Sequence, residues 1–108
     1  MKLLRSLFLI VILFSHLTTA PQNALKIFIS VDMEGIGGIG TGEMTRLGGK
    51  DYETGRRLMT EEVNAVVKAI FEHGRSEILV NDSHGDMQNL IHQDLDPRVT
   101  YIDRKSVV

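Results

Sequence analysis

The chain reads as the opening of a three-layer α/β fold with a largely parallel sheet, and three observations predict it. A run rich in β-branched and aromatic residues at 25–32 ends in a turn cluster. An amphipathic helical pattern follows from about Asp51 to His73, and a second short apolar run covers Glu77 to Asp82. Strand, helix and strand in that order make a βαβ unit, whose right-handed crossover lays the two strands side by side in parallel.

Each element has its own signal. Residues 25–32 (Leu-Lys-Ile-Phe-Ile-Ser-Val-Asp) are apolar enough for a central strand. Residues 35–49 hold seven glycines and predict a long loop. In the helix, Met59, Val63, Val66, Val67 and Ile70 fall on one stripe, with Leu58 and Phe71 at its margin, which predicts the core face. Gly55 costs about 1 kcal/mol relative to alanine and predicts a frayed first turn. Gly74 suits the left-handed position just past the helix end. Met87 to Leu95 predicts a short helix that Pro97 stops, and Val99 to Ile102 a third strand. There is no internal repeat and no low-complexity tract. Parallel sheets are covered on both faces, which three strands and about two helices cannot achieve. Either a partner covers the sheet or residues 21–108 are the N-terminal part of a larger domain, and the second is the expectation.

The length of 108 residues predicts one domain. The absence of cysteine excludes disulfides and thiolate metal sites, so any metal rests on histidines and carboxylates. Basic residues are scattered, with only Arg56-Arg57 and Arg104-Lys105 adjacent, which argues against nucleic acid as a partner. Lys2 and Arg5 precede an unbroken apolar run from Leu7 to Phe14, and Thr18-Thr19-Ala20 ends the segment. Residues 1–20 therefore read as a signal peptide directing export, periplasmic or secreted, with the chain cytoplasmic if the signal is unused. Pro21 is unfavourable directly after a cut, which leaves an uncleaved anchor as the alternative. The run is well short of the roughly 20 residues of a stable membrane span. Cleavage takes away two basic residues and no acid, leaving 10 basic against 14 acidic residues, a formal charge of −4.

Ligands of α/β sheets gather beyond the carboxyl ends of the strands. The first strand leaves through Asp32-Met33-Glu34-Gly35, where two carboxylates two residues apart point to one side. Such a pair repels itself, and a divalent cation between the two removes the penalty. The second strand leaves through Asp82-Ser83-His84-Gly85 and adds an imidazole. Asp32, Glu34 and His84 are thus the candidate metal ligands, a normal donor set for catalytic zinc. Asp82 is a rival to His84, or a group orienting it by accepting its other ring N–H. The competing readings are plainer: solvated loop acids at a strand end, and a histidine with no ligand role. His73 fits capping of the helix C-terminus, His92 the surface, and His16 the signal region. Glu61 and Glu62 read as the solvent face of the helix.

Gly35-Ile36-Gly37-Gly38-Ile39-Gly40 matches a dinucleotide fingerprint. That motif needs a helix opening within it, whereas here Gly42, Gly48 and Gly49 prolong the loop. Asp32 and Glu34 would also set negative charge beside the phosphates. Gly49-Lys50 is no phosphate loop either, since Asp51 and Met44 replace required residues.

Ser30-Val31-Asp32-Met33-Glu34-Gly35-Ile36 resembles the opening motif of the DppA-type zinc-dependent D-aminopeptidases. Tyr52-Glu53, Gly55-Arg56, Met59-Thr60-Glu61-Glu62 and Asn64 are similar to that family's first helix. Val80-Asn81-Asp82-Ser83-His84 is similar to its second metal motif, continued by Met87 and Asn89-Leu90. The likeness runs from about residue 25 to 95. It implies a site of two Zn2+ ions bridged by Asp32, with Glu34 and His84 as terminal ligands, and hydrolytic release of an N-terminal D-amino acid from short D-amino acid peptides such as D-Ala-D-Ala. It also implies a ring-like homo-oligomer. The family's remaining ligands, a His and a Glu, and a further catalytic His lie downstream of the likeness, so no catalytic residue beyond the ligands is expected here and the isolated chain is expected to be inactive. After about Tyr101 the likeness ends. The competing function is a non-catalytic secreted fragment that binds a metal or a peptide.

Overall fold

The computed structural model describes residues 23–102. Strand β1 covers Leu25–Val31, helix α1 Gly42–Thr45, helix α2 Tyr52–His73, strand β2 Ser76–Asp82 and strand β3 Thr100–Ile102, with a 3-10 turn at His92–Asp94 before β3. The sheet order is β1-β2-β3 and both pairings are parallel. Val31 of β1 stands opposite Asp82 of β2, so the two strands end level and the residues that follow them share one end of the sheet. The expected βαβ opening of an α/β fold is present. The proposed signal peptide at residues 1–20 lies outside the described residues. No helix among the described residues is long and apolar enough to cross a membrane.

Alternation along the strands decides which face is buried. Ile27, Ile29 and Val31 of β1 and Ile78 and Val80 of β2 turn toward α2, whose Met59, Val63 and Val67 are buried against them. Met33 and Leu90 close the same core from the loops. Full burial of each such side chain is worth about 1.5–3 kcal/mol. Val66 departs from the expected stripe and is 45% exposed, because it lies on the side of α2 that no described element covers. The second sheet face carries Lys26, Phe28, Glu77, Leu79 and Thr100, and a groove of about 540 Å³ runs over it. Phe28 is 60% exposed there. Only one face of the sheet is therefore covered among the described residues.

Four local expectations need correction. The glycine-rich loop contains α1, and the first turn of α2 is not frayed: Gly55 is buried and its N–H donates to the Asp51 carbonyl at 3.1 Å. A β-carbon at Gly55 would lie 2.2 Å from the Met44 carbonyl oxygen, so glycine is there to let α1 approach α2. Gly74 is extended rather than left-handed, with φ 160°, and its N–H still closes on the Ile70 carbonyl at 3.2 Å.

The fourth correction concerns residues 87–95, which form no helix beyond the 3-10 turn. Met87 sits at φ 63°, a left-handed conformation that helical backbone cannot adopt. Partners outside the segment satisfy its backbone instead. Tyr52, Arg56, Thr60 and Asn64 recur every fourth residue along α2 and so lie on one face. Arg56 Nε donates to the Asn89 carbonyl at 2.9 Å, and Thr60 Oγ1 accepts from Ile91 N–H at 3.0 Å. Asn64 donates to the Asp94 carbonyl at 2.7 Å and accepts from Asp96 N–H at 2.8 Å. This polar ladder holds the segment extended along the helix. Replacing Thr60 by valine keeps the shape and leaves the Ile91 N–H unpaired. The expected loss is about 1–3 kcal/mol in a urea titration, and an unchanged midpoint would show that the ladder does not stabilise the segment.

Candidate metal centre

Local chain geometry delivers the three predicted side chains to one place. Val31 and Met33 are buried while Asp32 and Glu34 are exposed, so the strand alternation persists past β1 and puts both carboxylates on the outer side. At the neighbouring strand end, Ser83 donates to the Val31 carbonyl twice, from N–H and from Oγ, each at 2.8 Å. That fastens the exit of β2 to the exit of β1, and His84 follows directly.

What turns the chain at His84 is the buried carboxylate of Asp82. It is fully enclosed and accepts from Asn89 N–H at 2.6 Å, Leu90 N–H at 2.9 Å, Asn89 Nδ2 at 2.9 Å and His84 N–H at 3.2 Å. Asn89, also buried, donates its second amide hydrogen to the His84 carbonyl at 2.6 Å and accepts from Tyr52 O–H at 2.7 Å. Burial raises the Tyr52 hydroxyl above its ordinary value of 10, so it remains a donor. No buried side-chain polar atom among the described residues lacks a partner. Asp82 is thus neither a rival ligand nor the acceptor of a ring N–H from His84; its oxygens are taken up by backbone and by Asn89. It positions His84 through the main chain.

The imidazole of His84 stands between two kinds of acceptor. Its Nδ1 lies 2.9 Å from Asp32 Oδ1 and 2.8 Å from Glu34 Oε2, and its Nε2 lies 2.8 Å from the Thr45 carbonyl oxygen. A carboxylate and a carbonyl both need a hydrogen from the ring, so both nitrogens carry protons in this arrangement. Burial works against the charged ring, but the Thr45 carbonyl, the Asp32 hydrogen bond and the two carboxylate charges outweigh it and hold the pKa above the ordinary 6.5. Burial likewise pushes the Asp32 carboxyl up, and hydrogen bonds led by the one from His84 bring it below 3.8.

The same geometry fits a divalent cation. One atom from each of the three residues lies within 4.8 Å of the other two, the spacing that a shared ion requires. Loss of the Nδ1 proton leaves Nε2–H on Thr45, so the lone pair of the neutral ring faces the two carboxylates. Fixing the tautomer through the far nitrogen is how proteins prepare a histidine ligand. Two oxygens and one imidazole nitrogen suit first-row divalent ions. The Asp32 and Glu34 side chains are 56% and 62% exposed, so the cation side of the cluster is open to further ligands.

The remaining histidines of the described chain stay apart. His73 ends α2 in solvent, and exposed His92 sets its ring edge-on to Tyr101 with centroids 4.0 Å apart. Glu61 pairs with Arg57 across the solvent face, as expected. Glu62 does more, accepting Gly37 N–H at 2.9 Å and tying the glycine loop to α2. That carboxylate, and the absence of a helix opening within Gly35–Gly40, remove the dinucleotide reading. Sequence reasoning missed Thr45, because a backbone carbonyl leaves no trace in residue identity. It also missed Asn89, Tyr52 and Arg56 as supports, although the four-residue spacing of polar groups on α2 was a usable signal.

Comparison with known proteins gives a consistent likeness. The peptidase M55 family, described as D-aminopeptidase, matches residues 25–106. A D-aminopeptidase of Bacillus subtilis (strain 168) is 44% identical over 78 residues, 72% of this chain and 28% of its own length. A solved structure, the Zn-dependent D-aminopeptidase DppA from Bacillus subtilis, a self-compartmentalizing protease, superposes with a TM-score of 0.71 at 43% identity. That alignment covers 73% of this chain and 29% of the other, so the chain spans less than a third of the relatives it matches.

The site depends on the Asp82 network, and its removal has a measurable cost. Asp82→Ala strands the buried Asn89 and Leu90 N–H groups, each worth about 1–3 kcal/mol. The expected result is a loss of about 3 kcal/mol or more in chemical denaturation, with the His84 ring resonances losing their distinct environment. A variant of native stability with His84 unmoved would refute the role given to Asp82.

Proposed function

The chain belongs to the peptidase M55 family of D-aminopeptidases, and from that premise we propose that Asp32, Glu34 and His84 hold zinc in a hydrolase releasing N-terminal D-amino acids from short peptides. The observation that carries this reading is the convergence within 4.8 Å, at adjacent strand ends, of two carboxylates and one imidazole whose far nitrogen is held by the Thr45 carbonyl. By the resemblance to the family, Asp32 would be the ligand shared between two ions, and Glu34 and His84 would be terminal ligands. Bound zinc supplies Lewis acidity toward a peptide carbonyl and makes water acidic enough to act near neutral pH.

The residues of this chain contribute binding and orientation. His84 gives up its Nδ1 proton and keeps Nε2–H on Thr45, which holds the ring plane while the carboxylates on the other side stay solvent-accessible. Asp32 and Glu34 compensate cationic charge at the mouth of the sheet. Catalysis belongs to a chain that carries the rest of the family domain; the 108 residues alone bind zinc without turnover. As with the self-compartmentalizing relative, the active assembly is a homo-oligomer that encloses its sites. The basic and apolar residues 1–20 direct export, which places the activity where peptides containing D-amino acids arise from cell-wall turnover.

Zinc binding by calorimetry tests the ligand set. His84→Ala and Asp32→Ala each weaken binding at least tenfold, about 1.4 kcal/mol; unchanged affinity in both would show that the ligands are wrong. Because a proton competes with the ion for His84, affinity is full above the raised pKa of the ring. It falls about tenfold per pH unit below it. For a chain completed with the remainder of the family domain, release of D-alanine from D-Ala-D-Ala stops with a chelator and returns with zinc. Activity indifferent to the chelator excludes the metal mechanism. Fractionation of a producing cell finds the mature chain outside the cytoplasm, and a cytoplasmic chain of full length would rule out export.

A further inference from the structure

The edge of β1 away from β2 is open among the described residues, because the sheet runs β1-β2-β3. In a parallel ladder each residue turns both its N–H and its C=O to the same neighbour, and successive residues alternate between the two sides. Leu25 N–H donates to the Arg75 carbonyl at 3.0 Å, and the Val31 carbonyl accepts from Ser83 N–H at 2.8 Å, both on the β2 side. Lys26, Phe28 and Ser30 therefore aim their backbone groups at the open edge. Edge strands are ordinarily protected by proline, a bulge or several charges. β1 has no proline and a single charged residue, Lys26, and it pairs with β2 residue for residue without a bulge.

Phe28 is the middle residue of β1 and one of the three that face out. An antiparallel copy of β1 centred there sets Phe28 opposite Phe28, Lys26 opposite Ser30 and Ile27 opposite Ile29. The first two are pairs of the hydrogen-bonded kind, so all three open N–H groups meet carbonyls. Lys26 is kept away from Lys26 of the other copy. The Phe28 rings, 60% exposed in a single chain, meet on the sheet face opposite to α2.

The flank of α2 fits the same axis. A groove of about 710 Å³ lies between the β1 edge and the helix, and Leu25, Ile27, Val66, Ala69, Ile70 and His73 are among its walls. Glu62, Val66, Ala69 and His73 are exposed and recur at helical spacing, which makes them one stripe. Reversed about the axis, Val66 meets Ala69, and Glu62 meets His73 of the other copy, a carboxylate against an imidazole. Phe28 stands about 10 Å along the strand from Leu25. The midpoint of Val66 and Ala69 stands about 8 Å along the helix from His73. Leu25 and His73 lie at the same end of the sheet, so one axis serves both elements. The helix packs over the β1–β2 pair. With strands about 4.8 Å apart, the two helices come to about 10 Å across the new pair, a distance at which helices pack.

We propose that two copies of this chain associate through the open edge of β1, antiparallel and centred on Phe28, so that their sheets run on into one and their α2 helices pack flank to flank. The proposal stands whether or not the chain binds zinc, since the axis sends the two ligand clusters to opposite ends of the joined sheet.

Sedimentation and amide hydrogen exchange of the 108-residue chain test it. The wild type sediments at twice its 12.1 kDa, and exchange at Lys26, Phe28 and Ser30 slows as concentration rises. Phe28→Lys sets like charges directly opposite, as does Phe28→Glu, and Val66→Lys sets a charge against Ala69. Each raises the dimer dissociation constant about tenfold or more. Both positions are exposed, so circular dichroism stays native. Mixing Phe28→Lys with Phe28→Glu restores a dimer holding one copy of each. A wild-type monomer whose Lys26, Phe28 and Ser30 amides exchange freely overturns the proposal. Association that survives Phe28→Lys also overturns it, for the contact then lies elsewhere, as at the apolar run Leu7 to Phe14. A dimer lost in Phe28→Lys but intact in Val66→Lys is held by the open sheet faces, which overturns it too. If a Phe28 variant fails to fold, Val66→Lys and the wild-type exchange pattern decide.

Discussion

The buried carboxylate of Asp82 is the group on which the rest of the site depends. An ionised side chain removed from water costs several kcal/mol unless its lone pairs are filled, and here four N–H groups fill them. Three of those donors are backbone groups of residues 84, 89 and 90, so satisfying one charge fixes the path of the whole loop after β2. His84 leaves the sheet in a defined direction because its own N–H is one of the four. Asn89 completes the arrangement by linking Asp82, the His84 carbonyl and Tyr52 of α2. The helix therefore supports the site from behind, through hydrogen bonds rather than apolar contact alone.

Much of this was legible in the sequence. β-Branched and apolar runs gave β1 and β2 to within a residue or two, and the apolar stripe gave α2 from Asp51 or Tyr52 to His73, because burial selects those residues in those patterns. The convergence of Asp32, Glu34 and His84 was legible because residues leaving two adjacent parallel strands at the same level come together. The failures share a cause. Residues 87–95 have helical composition, but Asp82, Arg56, Thr60 and Asn64 take up their backbone groups, and tertiary hydrogen bonds override propensity. Gly55 was read as a weakness of the helix and is a contact surface for α1. Thr45 acts through its carbonyl, which every residue possesses.

The uncovered sheet face and the short span relative to known D-aminopeptidases bear on the site as well. Phe28 and Leu79 lie on the face opposite to α2, whereas the ligand cluster stands at the strand ends, beyond the last paired residues. Among the described residues, β1, β2, α1 and α2 set the geometry of the cluster. On the proposed zinc reading, a proton and a cation compete for the same place at Nδ1, and the Thr45 carbonyl accepts from Nε2–H in both states.

The central claim is that His84 meets the ion through Nδ1 while Nε2 stays on Thr45. It is tested most directly by the nitrogen-15 imidazole spectrum of His84 as one equivalent of zinc is added near neutral pH. The account predicts loss of the Nδ1 proton, a metal-type shift at that nitrogen and retention of Nε2–H. A metal-type shift at Nε2, or a ring unaltered at saturating zinc, would contradict it.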